Sequence, residues 1–400
     1  MNTPRSFRAA PDGLVAAVLL SFLATAGLFY VNIMPALVDG LKTGLGFSAK
    51  DAGFVASANV YGAAAGALAA VFTVKLLPWR RVALVTLIGM ILIDLGSTQL
   101  TTPGALILVR ALHGLIGGFL VGTSYGVFSR TKAPDRVFGM LLVVQFGLGG
   151  VGLLLLPRLV LVLGTPVLFL ALVLFSLVSL AMLPFLDAYP RLPPAQEVPP
   201  APRAKLALVA ALASVFLFQW ANSAVADYVI GLGRTFGLNL NAITTTLGVA
   251  NWIGAVGSVA VVALGVRFGR SVPVMAGMGL ALVGTALFLL RASPWAFAAA
   301  NVVSGVAWSF TIAYLLGLCA AFDRGGRSAA LAGFCSKMGL ASGPALGGML
   351  LQETHYPRLV IWACAGLVLA TLASLWPAAK LDQGQGVKAR LGETKGAVTG

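Results

Sequence analysis

Five ionisable side chains stand inside the long apolar runs of this 400-residue chain: Asp94, Arg110, His113, Asp227 and Lys337. A charge within a bilayer is costly, so each is a candidate for ion coupling or ligand binding by default. Asp94 and Arg110 lie about eight residues either side of a short turn near Thr102, which in a helical hairpin sets both roughly 12 Å from the turn. Two roles are open to such a pair: an ion pair that holds two helices together, or a proton-linked pair in which protonation of Asp94 releases Arg110. His113 follows one turn on and is the side-chain type that changes charge near neutral pH. Packed against glycines, it would serve equally well as a structural group. Lys337 lies about nine residues into its run, roughly 14 Å deep, and Asp227 roughly 15 Å nearer the opposite face, so no acid of the second half shares its depth. Lys337 could be an anion site facing a hydrated cavity, a structural donor to helix carbonyls, or a proton carrier.

A second group is uncharged. Tyr30, Asn32, Asn59, Tyr61, Gln145, Gln219, Trp220, Asn222, Asn251, Trp252, Asn301, Trp308 and Tyr314 all fall within apolar runs. Amides and aromatic rings of this kind can wall a mostly apolar pocket with a few hydrogen-bonding groups. With Lys337 they form the candidate substrate-binding set, although bonding between helices is the competing role for each.

The elements that must position these groups follow from composition. A soluble chain would carry roughly a quarter charged residues. This one has 10% charged and 59% hydrophobic residues, with a mean hydropathy of +0.95. Twelve runs are long enough to span a bilayer, at 14–38, 51–74, 82–100, 104–127, 138–162, 166–187, 206–231, 243–266, 273–291, 295–321, 328–351 and 358–379. They lack the alternation of barrel strands and read as helices, so the fold class is all-α integral membrane. The start mimics a secretory signal, with Arg5, Arg8 and Ala24-Thr25-Ala26, but its apolar run continues to Val38, which predicts an uncleaved first span. Cys319, Cys335 and Cys364 sit in apolar runs as small hydrophobes.

The net charge of +15 would suggest nucleic acid in a soluble protein, but here the basic residues lie between apolar runs. Of the 27, nineteen fall in the termini and the loops on their side, six in the opposite loops, and Arg110 and Lys337 within spans. This asymmetry predicts cytoplasmic termini and excludes a nucleic-acid partner.

A proline-rich connector, Asp187 to Arg203, divides the spans six and six, and features recur across it at an offset of about 190 residues, as in transporters built from two parallel repeats. The expected organisation is a six-helix bundle over 1–187, a cytoplasmic linker over 188–205, a second six-helix bundle over 206–380, and a disordered cytoplasmic tail over 381–400. Trp79-Arg80-Arg81 after span 2 and Arg267-Phe268-Gly269-Arg270 after span 8 are basic loop motifs. Span 4 carries Arg110-Ala-Leu-His113-Gly114-Leu-Ile-Gly117-Gly118, and span 11 carries Gly339-Leu-Ala-Ser-Gly343-Pro344-Ala-Leu-Gly347-Gly348. Gly147-Leu-Gly149-Gly150-Val-Gly152 spells a dinucleotide fingerprint, but no strand precedes it, so phosphate binding is excluded. Glycines spaced by four, such as Gly114 and Gly118, make a face on which helices approach closely.

Over nearly its whole length the chain resembles the major facilitator superfamily. The loop motifs match the family's, without its aspartate, so the acid of the usual loop-to-helix charge lock is missing from the motif itself. The resemblance implies two six-helix bundles related by a pseudo-twofold axis, alternating access, and proton coupling at the span 4 arginine, Arg110. The glycine-proline pattern, which drug-proton antiporters of the family place on helix 5, implies export and here lies on span 11. The basic residue that some organic-anion carriers place on helix 11 implies carboxylates for Lys337.

The expectation is therefore a secondary active transporter of a small organic molecule, proton-coupled through Asp94, Arg110, His113 and Asp227, with export by antiport favoured. A carboxylate importer or exchanger using Lys337 is the alternative. Protons and lipid are its other partners, no cofactor or metal is expected, and a monomer in a bacterial inner membrane is the expected state. An enzyme acting on lipid-linked substrates would need clustered acids or histidines, whereas the chain has two histidines in all. A non-transporting receptor on the same fold is the remote rival.

Overall fold

In lipid the backbone must satisfy its own hydrogen bonds, and the apolar runs do so as helices. The computed structural model describes residues 8–73, 77–128, 130–131, 134–189, 205–265, 267–290, 293–322, 327–351 and 355–397. The proline-rich connector lies, from 190 to 204, outside the described residues.

Span 1 comprises α1 (Leu14–Ala26), α2 (Phe29–Asn32) and α3 (Met34–Leu45). Spans 2 to 5 are α4 (Ala49–Thr73), α5 (Trp79–Ser97), α6 (Pro103–Phe128) and α7 (Pro134–Leu163), and span 6 is α8 (Pro166–Met182) with a closing 3-10 turn. Span 7 is α9 (Lys205–Ala226) and α10 (Val229–Arg234). Spans 8 to 12 are α11 (Leu240–Leu264), α12 (Ser271–Ala286), α13 (Pro294–Ala320), α14 (Arg327–Leu350) and α15 (Tyr356–Ala397). Among the described residues nine helices have the length and hydropathy to cross a membrane. The other three of the twelve positions are filled by the broken span 1, by α5 with Arg80, Arg81 and Asp94, and by the glycine-rich α14 with Lys337. The tail expected to be disordered continues α15 as far as Ala397.

Two features position the site. The first is a break in span 1 and in span 7, at equivalent places in the two halves: α1 ends at Ala26 and α9 at Ala226. At Gly27 the chain presses on the Gly117 carbonyl of α6, where a Cβ would overlap it. Span 7 extends beyond its expected end at 231 to Arg234, so Asp227 lies at the break and not near the end of the span.

The second is close helix contact. A Cβ at Gly114 or Gly118 of α6 would overlap the carbonyl oxygens of Asn59 or Ala63 on α4. On α14, Gly339 and Gly343 press in the same way on Phe216 and Ser223 of α9, Gly347 lies close to Ala224 and Tyr228, and Gly348 meets the Ala49 carbonyl across the halves. Pro344 stays inside α14.

The halves are riveted at the end away from the termini. Arg234 grips Asp39 with both nitrogens, Nη2 to Oδ2 at 2.8 Å. Arg158 of α7 donates to the Thr244 and Thr245 hydroxyls at 2.8 and 2.7 Å and to the Asn241 carbonyl at 3.1 Å. The Tyr228 hydroxyl lies 2.9 Å from the Ala49 carbonyl and 2.7 Å from that of Pro344. Nearer the middle, the hydroxyls of Tyr61 and Ser342 are 2.7 Å apart.

Candidate functional site

The span 3–span 4 hairpin brings Asp94 and Arg110 together as their equal depth predicts. Arg110 Nη1 donates to Asp94 Oδ1 at 2.6 Å, and Nη2 donates to the Ser97 hydroxyl and, at 3.4 Å, to the Ile93 carbonyl. Both charged side chains are 0% exposed. The guanidinium also sits 5.0 Å from the centroid of the Phe169 ring and 6.0 Å from that of Tyr30.

Asn59 sets the tautomer of neutral His113. Its Nδ2 donates to the Arg110 carbonyl at 3.2 Å and lies 2.8 Å from His113 Nδ1. A carbonyl can only accept, so this atom is the NH2 group, and Nδ1 must then be the acceptor. Neutral His113 therefore carries its hydrogen on Nε2, which lies 3.2 Å from Asp94 Oδ2, out of line for a hydrogen bond. Acid, guanidinium, imidazole and amide make one buried cluster inside the first half.

A separate cavity of about 270 Å³ lies between the halves. The first half contributes Asn32, Gln145 and Phe146. The second contributes Asn222, Ser223 and Asp227 from span 7, Asn251 from α11, Thr285 and Phe288 from span 9, and Asn301, Ser304 and Trp308 from α13. Asp227 is only 6% exposed, and its Oδ2 has no hydrogen-bond partner.

The other candidates lie elsewhere. Tyr30 is buried within the first half, its hydroxyl 3.5 Å from the Val55 carbonyl, and Asn59 belongs to the buried cluster. Tyr61 joins the two halves. Gln219 backs the cavity, accepting from Trp308 Nε1 at 2.7 Å and donating to Ser336 at 2.8 Å. Trp220 packs on Gly366 of α15. Trp252 donates across the halves to the Gly147 carbonyl at 3.0 Å, whereas Tyr314 donates within the second half to the Gly265 carbonyl at 2.7 Å. Lys337 has no described partner and stands one turn before Leu340, which lines the cavity.

At the termini side the loop motif finds its acid outside the loop. Asp382 of α15 accepts from the backbone nitrogens of Arg270 and Ser271 at 2.8 and 2.9 Å and from the Ser271 hydroxyl, covering the start of α12. Gly269, at φ +69°, lies where a Cβ would come within 2.9 Å of that carboxylate. Arg270 itself reaches the Gly317 carbonyl at 2.8 Å. In the first half Arg80 stacks over Trp79, whose indole donates to Ala188 at 2.9 Å, and Arg81 is exposed.

Helical spacing could have revealed several residues that composition passes over. Ser97 follows Asp94 by three, and Ser304 lies between Asn301 and Trp308 on one face of α13. Asp39 carries no such signal, because its partner Arg234 is 195 residues away in sequence.

Two six-helix halves around a central, mostly apolar cavity with a few polar groups on its wall have the architecture of a membrane transporter. The family model of the Major Facilitator Superfamily matches residues 17–321, and the chain belongs to that family. No curated protein matches the sequence. Among solved structures the fold is similar to the nucleoside transporter NupG, at a TM-score of 0.66 and 15% identity, covering 90% of this chain and 98% of that one. A variant of the same transporter gives 0.65 and 18%, again over 90% and 98%. A bacterial homolog of the human lysosomal transporter Spinster, in an inward-facing and unoccupied conformation, gives 0.60 and 11% over 94% and 96%. At these identities the likeness is one of fold.

Proposed function

We propose that the protein is a proton-coupled secondary transporter that exports a small organic molecule in exchange for protons by alternating access. The observation that carries this reading is Asp227, a carboxylate on the cavity wall whose Oδ2 has no protein partner. In a desolvated pocket such a group is stabilised by a proton or by a ligand. A carboxylate that takes one or the other links the two fluxes in opposite directions. The Asp94 cluster, already internally bonded and away from the cavity, supports the bundle, and Asp227 carries the coupling.

The basic loops favour cytoplasmic termini and insertion in a bacterial inner membrane. In that orientation the riveted seam faces outward, which is the arrangement of an inward-facing carrier. The closed two-bundle form suits a monomer. Lys337 supports a second reading, a carboxylate carrier, because its ammonium has no described partner and stands one turn from the cavity wall.

Proteoliposomes loaded with representative amines, neutral polar compounds and carboxylates test the reading. A proton gradient is expected to drive uphill flux of one class, and Asp227→Asn to abolish uphill flux while downhill exchange persists. Uphill flux that survives in Asp227→Asn would remove the assignment. Absence of flux under every gradient would favour a receptor on the same fold.

A further inference from the structure

The hydrogen-bonding capacity of the cavity is uneven. Four asparagines wall it, and each commits its amide nitrogen to a backbone carbonyl: Asn32 to Gln145 at 3.4 Å, Asn222 to Phe218 at 2.7 Å, Asn251 to Phe146 at 2.7 Å and Asn301 to Phe297 at 2.8 Å. Because a carbonyl can only accept, these contacts fix which end of each amide is nitrogen. The four Oδ1 atoms have no described partner and are pure acceptors. The indole N–H of Trp308, a donor that could have served a ligand, is held by Gln219, and the Ser223 hydroxyl donates to the Gln219 carbonyl at 2.9 Å. What remains for a ligand is dominated by acceptors: four amide oxygens and the carboxylate of Asp227 on the cavity wall. Gln145 and the hydroxyls of Thr285 and Ser304 can donate, but each can also accept.

We propose that the ligand is a primary organic ammonium. This rests on the reading of the cavity as the transport site. An –NH3⁺ group carries three donors and one positive charge, and so answers both the acceptor-rich wall and the carboxylate. An apolar body fits against Phe146, Phe288 and Trp308. The cavity volume is near the lower end of the roughly 300–1,000 Å³ usual for small-molecule sites, which favours a compact amine. A quaternary ammonium offers charge without donors and would leave the amide oxygens unmet. A neutral alcohol offers a donor without charge, and a carboxylate is repelled by Asp227.

The test uses four matched probes: 2-phenylethylammonium, its trimethylammonium analogue, 2-phenylethanol and phenylacetate. Binding to the purified full-length chain is measured by calorimetry at neutral pH, and flux of the same probes is followed in proteoliposomes. The primary ammonium is expected to bind at least about tenfold more tightly than the other three, as expected for hydrogen bonds to charged groups. Asp227→Asn is expected to weaken the ammonium by about tenfold or more and to leave 2-phenylethanol unchanged, with Asn301→Leu weakening the ammonium independently. Melting temperatures close to that of the parent show that the variants fold. Equal or tighter binding of the quaternary or anionic probe, unchanged ammonium affinity in Asp227→Asn, or no binding of any probe overturns the proposal. Ammonium binding without flux would instead overturn the transport reading and leave the recognition standing. Flux of the neutral or anionic probe without ammonium binding would do the reverse.

Discussion

The buried Asp94–Arg110 pair makes a prediction that separates structure from coupling. Both side chains are 0% exposed and meet at 2.6 Å, so removing one charge strands the other in a low-dielectric interior. Breaking such a pair costs about 3–5 kcal/mol, whereas replacing both partners by apolar groups of similar size is often neutral or better. Asp94→Leu alone and Arg110→Met alone are each expected to cost about 3–5 kcal/mol. The double variant leaves the Ser97 hydroxyl bonded to the Ile93 carbonyl at 2.7 Å and His113 Nε2 without a partner as in the parent, so it should be no less stable than either single variant. The coupling energy in the double-mutant cycle is then about 3 kcal/mol or more, measured by reversible unfolding in detergent followed through tryptophan fluorescence. His113→Gln sharpens the reasoning, because an amide can accept from Asn59 at one end and donate toward Asp94 at the other. It should retain most of the stability that His113→Phe loses. The same variants, reconstituted, are expected to keep proton-driven uphill flux. Additive single costs would refute the structural pairing. A well-folded double variant that exchanges downhill but no longer responds to a pH gradient would move the coupling from Asp227 to this cluster.

Gly114→Ala places a Cβ on the Asn59 carbonyl and should cost about 1–3 kcal/mol by overpacking, whereas Gly147→Ala, with no atom within 4 Å of the new Cβ, should leave the melting temperature unchanged or raise it. If both behave alike, the close approach of α4 and α6 is not what the glycines secure. Arg234→Ala removes a half-exposed bridge whose arginine is 41% exposed, worth about 1 kcal/mol or less, so spin-label distances between the Asp39 and Arg234 ends of spans 1 and 7 should shift toward separation by at most about fivefold in population. An unchanged distribution would mean the remaining seam contacts suffice. Asp382→Asn weakens the cover of the α12 start and should cost about 1 kcal/mol in thermal unfolding, with Gly269→Ala non-additive to it because the new Cβ meets the same side chain.

The twelve spans, the two halves and the Asp94–Arg110 pair were legible in the sequence because each rests on length or on local geometry. Run length fixes the number of crossings, and one short turn fixes equal depth on a hairpin. What escaped depends on which way a helix faces, and in a chain that is apolar on every side, periodicity does not tell a lipid face from a buried one. Tyr30 and Asn32 stand two residues apart, yet one is buried in the first half and the other walls the cavity. Gln219 and Asn222 stand one turn apart, and the first supports Trp308 from behind while the second reaches the cavity. Asp382, the acid missing from the loop motif, is over a hundred residues from the loop it serves, so no reading of the motif could supply it.

The helix breaks were hidden for a different reason and explain most about the site. Neither Ala26-Gly27-Leu28 nor Ala226-Asp227-Tyr228 holds a proline, and both sit within runs that count as single spans by length. In span 7 the interruption turns Asp227 onto the cavity wall and Tyr228 onto the seam, where its hydroxyl meets carbonyls of both halves. A carboxylate on the cavity wall is thus joined by one peptide bond to a residue that bonds both halves at the seam. Any change of charge at Asp227 that alters its contacts must act on Tyr228 through the same non-helical backbone, whose φ of −109° and ψ of 9° at Tyr228 interrupt the helical ladder. In transporters of this architecture discontinuous helices typically form the midplane site around which the halves rock. On that argument Tyr228→Phe, which deletes the seam bonds and leaves Asp227 in place, should preserve ligand affinity while speeding downhill exchange.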